Sequence, residues 1–234
     1  MKPSYLVVLA SVGLVSISTA SAASLGVAAQ HLTQVRTCIL SAYPGSAGDE
    51  IDAMVEQTRP NNNYGTSATM QVVTHNAVNI RTYVEFAVTS CSPAIPASAT
   101  VLLANLRLYA SAVPTATCRT EDIFPATTSW TEAGITWNNQ PFGSGLNNPT
   151  SGWTTQIQIG ATCTSNNVAG YVSGWTVTAD VQNFVKGSAA DDGWMIRDGT
   201  EGSGTAYTAT YEAKDASSAT EEPQLVITYE DEVH

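Results

Sequence analysis

From residue 51 onward the chain alternates apolar and polar side chains with period two, in short runs broken by turns rich in Asn, Gly, Pro and Ser. A period of two puts successive side chains on opposite faces of a strand, so the pattern predicts sheet. The runs that read as strands are 51–57, 69–74, 81–88, 101–109, 117–124, 154–159, 193–197, 205–212 and 224–229. In 81–88, Val84, Phe86 and Val88 point one way and Arg81, Tyr83 and Glu85 the other. In 101–109, Leu102, Ala104, Leu106 and Leu108 share the apolar face. One apolar face per strand predicts burial on one side only. Many short strands between such turns predict a sandwich or barrel.

One segment departs from period two. Val177, Val181, Phe184 and Val185 stand at i, i+4, i+7 and i+8, the stripe of a short helix that follows a strand through Trp175 and Thr176. Thr178 suits the N-terminal cap, Lys186 the last turn and Gly187 the stop. Residues 23–50 carry little periodicity and read as an N-terminal arm around the apolar patch Cys38-Ile39-Leu40. One sandwich domain is expected over 51–230, followed by an acidic tail at 231–234.

Residues 1–22 have another layout. Lys2 is the only charged side chain before His31, residues 6–17 are apolar apart from small side chains, and Ala20-Ser21-Ala22 offers small residues for cleavage. This is the three-part pattern of a secretory signal, cut near Ala22. The run is shorter than the ~20 apolar residues of a membrane span, no Lys/Arg cluster follows it, and no Cys marks a lipoprotein. The protein is therefore expected to be secreted and extracellular, with no membrane span.

Charge narrows the partners. Without Lys2 there are 8 basic against 20 acidic residues, a formal charge of −12. Nucleic acid needs clustered Lys/Arg and is a poor partner. Anionic polysaccharide is disfavoured too, unless a metal bridges. Four cysteines in an oxidising compartment predict two disulfides. Nearness along the chain and parity favour Cys91–Cys118, on either side of the 101–109 strand, which leaves Cys38–Cys163.

The segment Trp130-Thr131-Glu132-Ala133-Gly134-Ile135-Thr136-Trp137-Asn138-Asn139-Gln140-Pro141 resembles the central motif of the DNRLRE domains. These are the disaggregatase-related modules grouped as carbohydrate-binding module family 96. Asn63-Tyr64-Gly65, Val84-Glu85-Phe86, Ala104-Asn105-Leu106-Arg107-Leu108-Tyr109, Thr178-Ala179-Asp180-Val181-Gln182 and the closing strand after Pro223 occur in the family's order. The late Phe-x-Ser-Arg-Glu motif is here Tyr211-Glu212-Ala213-Lys214-Asp215, with Lys in place of Arg, so bidentate pairing is lost there. The resemblance implies a jelly-roll-like β-sandwich that binds polysaccharide.

Candidate binding residues follow from the aromatic positions. Trp130 and Trp137 lie in the central motif, and Trp175 and Trp194 in apolar runs, so these four read as core. Trp153, after a polar loop, and Tyr64, in an Asn-rich loop, are the candidate carbohydrate-binding residues. Asp180 is the candidate ligand of a structural calcium, against the alternative that it pairs with N–H groups of the first helical turn.

Catalysis has little support. His31, His75 and His234 have no Ser or Cys partner in local sequence, and no Gly-x-Ser-x-Gly elbow occurs. Carboxylates for a glycosidase would be sought at Glu85, Glu121, Asp122 and Glu132. The expected function is a non-catalytic carbohydrate-binding or cell-surface adhesion module. The alternative is a filament or matrix subunit that donates its N-terminal arm to a neighbouring sheet edge.

Overall fold

The computed structural model describes residues 33–41, 50–164, 169–218 and 220–232. The expected export segment and cleavage point, His31 and His234 lie outside these. The strands are β1 (Thr33–Ser41), β2 (Glu50–Glu56), β3 (Thr69–Thr74), β4 (Ile80–Phe86), β5 (Thr100–Ala112), β6 (Arg119–Pro125), β7 (Thr155–Ile159), β8 (Gly170–Thr176), β9 (Trp194–Asp198), β10 (Tyr207–Glu212) and β11 (Gln224–Glu232). The helix α1 (Thr178–Lys186) lies between β8 and β9. Neighbouring strands run β1-β11-β5-β10-β3-β4-β9-β6-β7, with β8 along β5 and β2 along β4. The antiparallel sheet curls into a half-barrel, a jelly-roll β-sandwich with one short helix, as the periodicity and the resemblance predict. Among the described residues no helix is long and apolar enough to cross a membrane.

The inner face holds the main core. Phe86, Leu106, Leu108, Trp175, Trp194 and Tyr211 meet there, and α1 closes one end with Val181 buried and Phe184 packed alongside. A second core lies on the opposite face. Ala53 and Val55 of β2, Tyr83 of β4, Phe124 of β6 and Met195 of β9 are covered by Trp130, Ile135 and Trp137. Burying a large side chain stabilises by about 1.5–3 kcal/mol, so each face contributes. Strand β4 is therefore buried on both sides, and Arg81 and Tyr83 are fully enclosed where the alternation predicts a solvent-facing side. The motif segment supplies the second cover, and a strand's own pattern does not report what folds over it.

Three further expectations are corrected. Leu102 is 46% exposed and Val101 is buried in its place. The β5–β11 register shifts between Thr228 and Tyr229, and such a bulge moves the following side chains to the other face. Thr178 does not cap α1. Val177 holds the cap position without a side-chain bond, and the Thr178 hydroxyl accepts from the Ala104 N–H at 3.0 Å. Gly187 does end the helix, with φ of 67°. Within the arm, Thr33–Ser41 pairs residue for residue with β11. Asp231 and Glu232, read as tail, belong to that pairing, and Arg36 bonds Asp231 at 3.2 Å.

All four cysteines form disulfides, but the pairs are Cys38–Cys91 and Cys118–Cys163. The expected Cys91–Cys118 and Cys38–Cys163 pairs fail because β5, with 13 residues, carries the chain about 40 Å across the sheet. Cys118 and Cys163 instead flank the adjacent ends of β6 and β7, where Arg119 faces Ile159. Cys38 faces inward on β1 and ties that strand to the turn after β4. With Thr33–Ser41 paired and bonded inside its own chain, the filament alternative gains no support.

Candidate carbohydrate-binding cleft

The central motif is a scaffold. Trp130 tilts against Tyr83 at 5.6 Å and donates its indole N–H to the Asp192 carbonyl at 3.0 Å. Trp137 lies under the Arg81 guanidinium, 4.6 Å from its ring centre. The Gln140 side-chain oxygen accepts from both Arg81 and Tyr83 at 2.9 Å. Glu132 accepts from the Asp52 N–H at 3.3 Å and pairs with Lys214 at 3.1 Å. The Lys in the late motif thus keeps an ion pair with the central motif. Asn63 donates to the carbonyls of Glu132, at 2.6 Å, and Ile135, at 2.9 Å. The motif residues are spent on holding the second core together.

Trp153 behaves differently. It is 43% exposed, while Trp130, Trp137, Trp175 and Trp194 are buried, as expected of those four. It stands two residues before β7. The neighbouring Thr154 N–H donates to the Ile123 carbonyl at 2.9 Å, and the Thr154 hydroxyl donates to Asp180 at 2.5 Å. Asp180 also accepts from the Trp194 indole N–H at 2.8 Å. Asp180 lines a cleft of about 320 Å³ between α1 and the segments 125–127 and 189–192. Asn183, Phe184 and Asp192 line it as well. Phe184 is backed by Trp194 at 5.5 Å between ring centres. Trp153 itself is not among the residues lining this cleft; the residue that follows it, Thr154, is bonded to Asp180. Phe184, Asn183 and Asp192 were not foreseen as cleft residues. The helical stripe marked Phe184 as inward-facing, and nothing local marked the other two.

Tyr64 is not among the residues lining this cleft. Its hydroxyl donates to Glu56, the last residue of β2. A second groove of about 270 Å³ is lined by residues 113–117 and 205–208. Its one aromatic ring, Tyr207, is covered by Arg119 at 4.0 Å.

The carboxylates sort by burial. Glu121 and Asp122 are enclosed in the sheet, Glu121 accepting from Tyr211 and Asp122 pairing with Arg197 at 3.6 Å. Glu132 is held in the scaffold. Beside the cleft, burial and then the neighbouring Asp191 and Asp192 charges push Glu85 up to about 7. Burial, despite the Val88 N–H, likewise pushes Asp191 up to about 6. Among the described residues no group of three His, Cys, Asp or Glu side chains gathers to hold a metal. The partners of Asp180 are an indole N–H and a hydroxyl rather than the helical N–H groups considered from sequence.

A sandwich whose cleft joins an aromatic wall, amide and carboxylate groups and a nearby exposed tryptophan has the make-up of a carbohydrate-binding module. Residues 47–229 match Carbohydrate-binding module family 96, and the chain belongs to that family. It is a carbohydrate-binding module, non-catalytic in character. A search of curated proteins found no match.

Proposed function

We propose that glycan is held in the cleft beside α1, with Trp153 as the stacking surface. One observation carries this reading: Trp153 is the exposed tryptophan, and its neighbour Thr154 is bonded to a residue of the cleft wall. Aromatic faces pack on the C–H faces of sugar rings, and exposed loop aromatics on a rigid sheet are common binding residues. Phe184 would extend the apolar wall, and Asn183, Asp180 and Asp192 would bond hydroxyls. Secretion is part of the proposal, because two disulfides suit an oxidising compartment. A role in cell-surface adhesion follows if the glycan is displayed on a surface. The test is a glycan-array screen followed by calorimetry on the purified protein. Binding is expected to fall at least tenfold in Trp153→Ala while the melting temperature is kept. The same titration with calcium and with chelator tests the metal expected at Asp180. Unchanged affinity in Trp153→Ala would place the site elsewhere, with Tyr64 the next position to test.

A further inference from the structure

We propose that β1 is a docking edge for a second copy of this chain, the two β1 strands pairing antiparallel about a two-fold axis at Thr37. β1 ends the strand order, and β11 is its one partner strand among the described residues. An edge strand turns alternate N–H and C=O groups outward, where another strand can take them. Sheets usually guard such an edge with charges, proline, a bulge or a very short strand. β1 is all but unguarded. It is nine residues long, pairs with β11 without a register shift, and holds no Pro and a single charged side chain, Arg36. That charge is already taken by Asp231 at 3.2 Å.

The outer side chains decide which partner fits. Cys38 and Leu40 face the core, so Val35, Thr37 and Ile39 face out. Val35 is 58% and Ile39 61% exposed, the highest values among the large apolar side chains described. They continue an outer row, since Ile39 stands beside Val226, and Thr37 beside Thr228 and then Leu103. Residues 130–142 cover the outer face over β4, while over β1 it is exposed. A copy of the same edge completes the row. A two-fold at Thr37 sets Val35 opposite Ile39 of the second copy, Thr37 opposite Thr37 and Ile39 opposite Val35. All nine residues of the strand then face a partner. Facing residues share parity, so outward-turned backbone groups meet outward-turned ones and the outer side chains stay on the outer face. Two apolar cross-strand pairs form at once, and no like charges stand directly opposite, because Arg36 faces Cys38. Cys38 is bonded to Cys91, which holds β1 to its own sheet, so no strand is exchanged between copies. Such a contact is self-complementary and closes at two chains. No residue of β1 lines the cleft beside α1, so this surface is separate from the proposed glycan site.

A single strand edge buries less area than a standard interface, so a micromolar dimer is expected. Sedimentation of the purified protein from ~1 μM to ~1 mM should show monomer passing to dimer and stopping there. The chain carries a formal charge of −11, so two copies repel, and added salt should tighten the dimer. Val35→Lys/Ile39→Lys sets like charges opposite each other and should weaken the dimer by about tenfold or more. Val35→Lys/Ile39→Glu sets Lys against Glu in the same register and should keep it within about threefold. Both positions face solvent in the single chain, so the melting temperature at low concentration should hold in both variants. A monomer across the whole range overturns the proposal, and protected β1 amides in that monomer would mean that another segment of the chain covers the edge. Equal dimerisation by the two double variants overturns it as well, by placing the contact elsewhere. So do species that keep growing with concentration, because a two-fold contact closes at two chains.

Discussion

The Glu121 carboxylate accepts a 2.6 Å hydrogen bond from the Tyr211 hydroxyl, and both side chains are enclosed between the faces of the sheet. Burial pushes the Glu121 carboxyl from 4.5 up to about 8, and the buried Asp52 from 3.8 up to about 7. The folded protein therefore holds protons that the unfolded chain releases between these values. Stability is full below the ordinary carboxylate range and falls as pH rises from about 4.5 to about 8. The melting temperature is expected to be higher near pH 5.5 than near pH 8. Glu121→Gln keeps an acceptor for Tyr211 and should flatten the slope. It should also raise stability at about pH 8 on the order of a few kcal/mol. Thermal melts of both proteins across this range decide it, and an unchanged slope in Glu121→Gln would show that other groups carry the dependence.

Arg81 offers a second handle on stability. Its guanidinium, itself out of solvent, donates to Glu201 at 2.7 and 2.8 Å and to the carbonyls of Gly143 and Gly145 at 3.0 and 2.6 Å. Removing one partner leaves a buried charge, so Arg81→Met is expected to cost about 3–5 kcal/mol in urea unfolding. The Arg81→Met/Glu201→Leu double variant should lose less than the sum of the single losses. A double variant as costly as that sum would show that the carbonyl bonds, rather than the ion pair, carry the position.

Much of this architecture was legible in residue pattern because each strand's inner face reports its own burial. β3 spans 69–74 in both readings, and Val84 and Phe86 lie inward together. What escaped depends on contacts distant in sequence. The alternation of β4 is plain in its residues, yet Arg81 and Tyr83 are buried because residues 130–142 fold over them. The β5 face slipped at a bulge that only the β11 partner defines. The disulfide pairs depend on which strand ends lie side by side, which spacing alone does not encode. Trp153 was legible as exposed through its polar surroundings. The link from it to Asp180 passes through one hydroxyl, Thr154, that no local pattern distinguishes.

The disulfides make a third prediction. Peptide mapping without reduction should recover Cys38 with Cys91 and Cys118 with Cys163. The bridged cysteines are 53 and 45 residues apart, so each bond is expected to stabilise by roughly 4 kcal/mol on the chain-entropy account. The two losses should differ in kind. Cys38→Ser/Cys91→Ser leaves β1 held by β11 on the sheet edge, and protease should cut near Thr33–Ser41 first. Cys118→Ser/Cys163→Ser should leave that segment protected. Recovery of Cys91 with Cys118 would overturn the register of the whole N-terminal edge.

The sharpest separation of scaffold from site comes from pairing Gly65 with Trp153. A β-carbon at Gly65 would press into the Glu132 carbonyl oxygen and come within 2.6 Å of its Cγ. The neighbouring Asn63 holds the same turn by two hydrogen bonds, so the segment has little room to yield. Gly65→Ala is expected to destabilise by about 1–3 kcal/mol, the usual cost of overpacking. Glycan affinity of the folded fraction should stay within about twofold. Trp153→Ala should do the reverse, because a half-exposed ring contributes little to the core but supplies the stacking face. Denaturant unfolding and calorimetry on the same two variants give four numbers. If Gly65→Ala lowers affinity as much as stability, the Asn63-Tyr64-Gly65 turn touches glycan, and the binding surface extends to Tyr64 and the motif. If affinity and stability change independently, the motif that defines the family builds the sandwich, and binding rests on residues outside that motif.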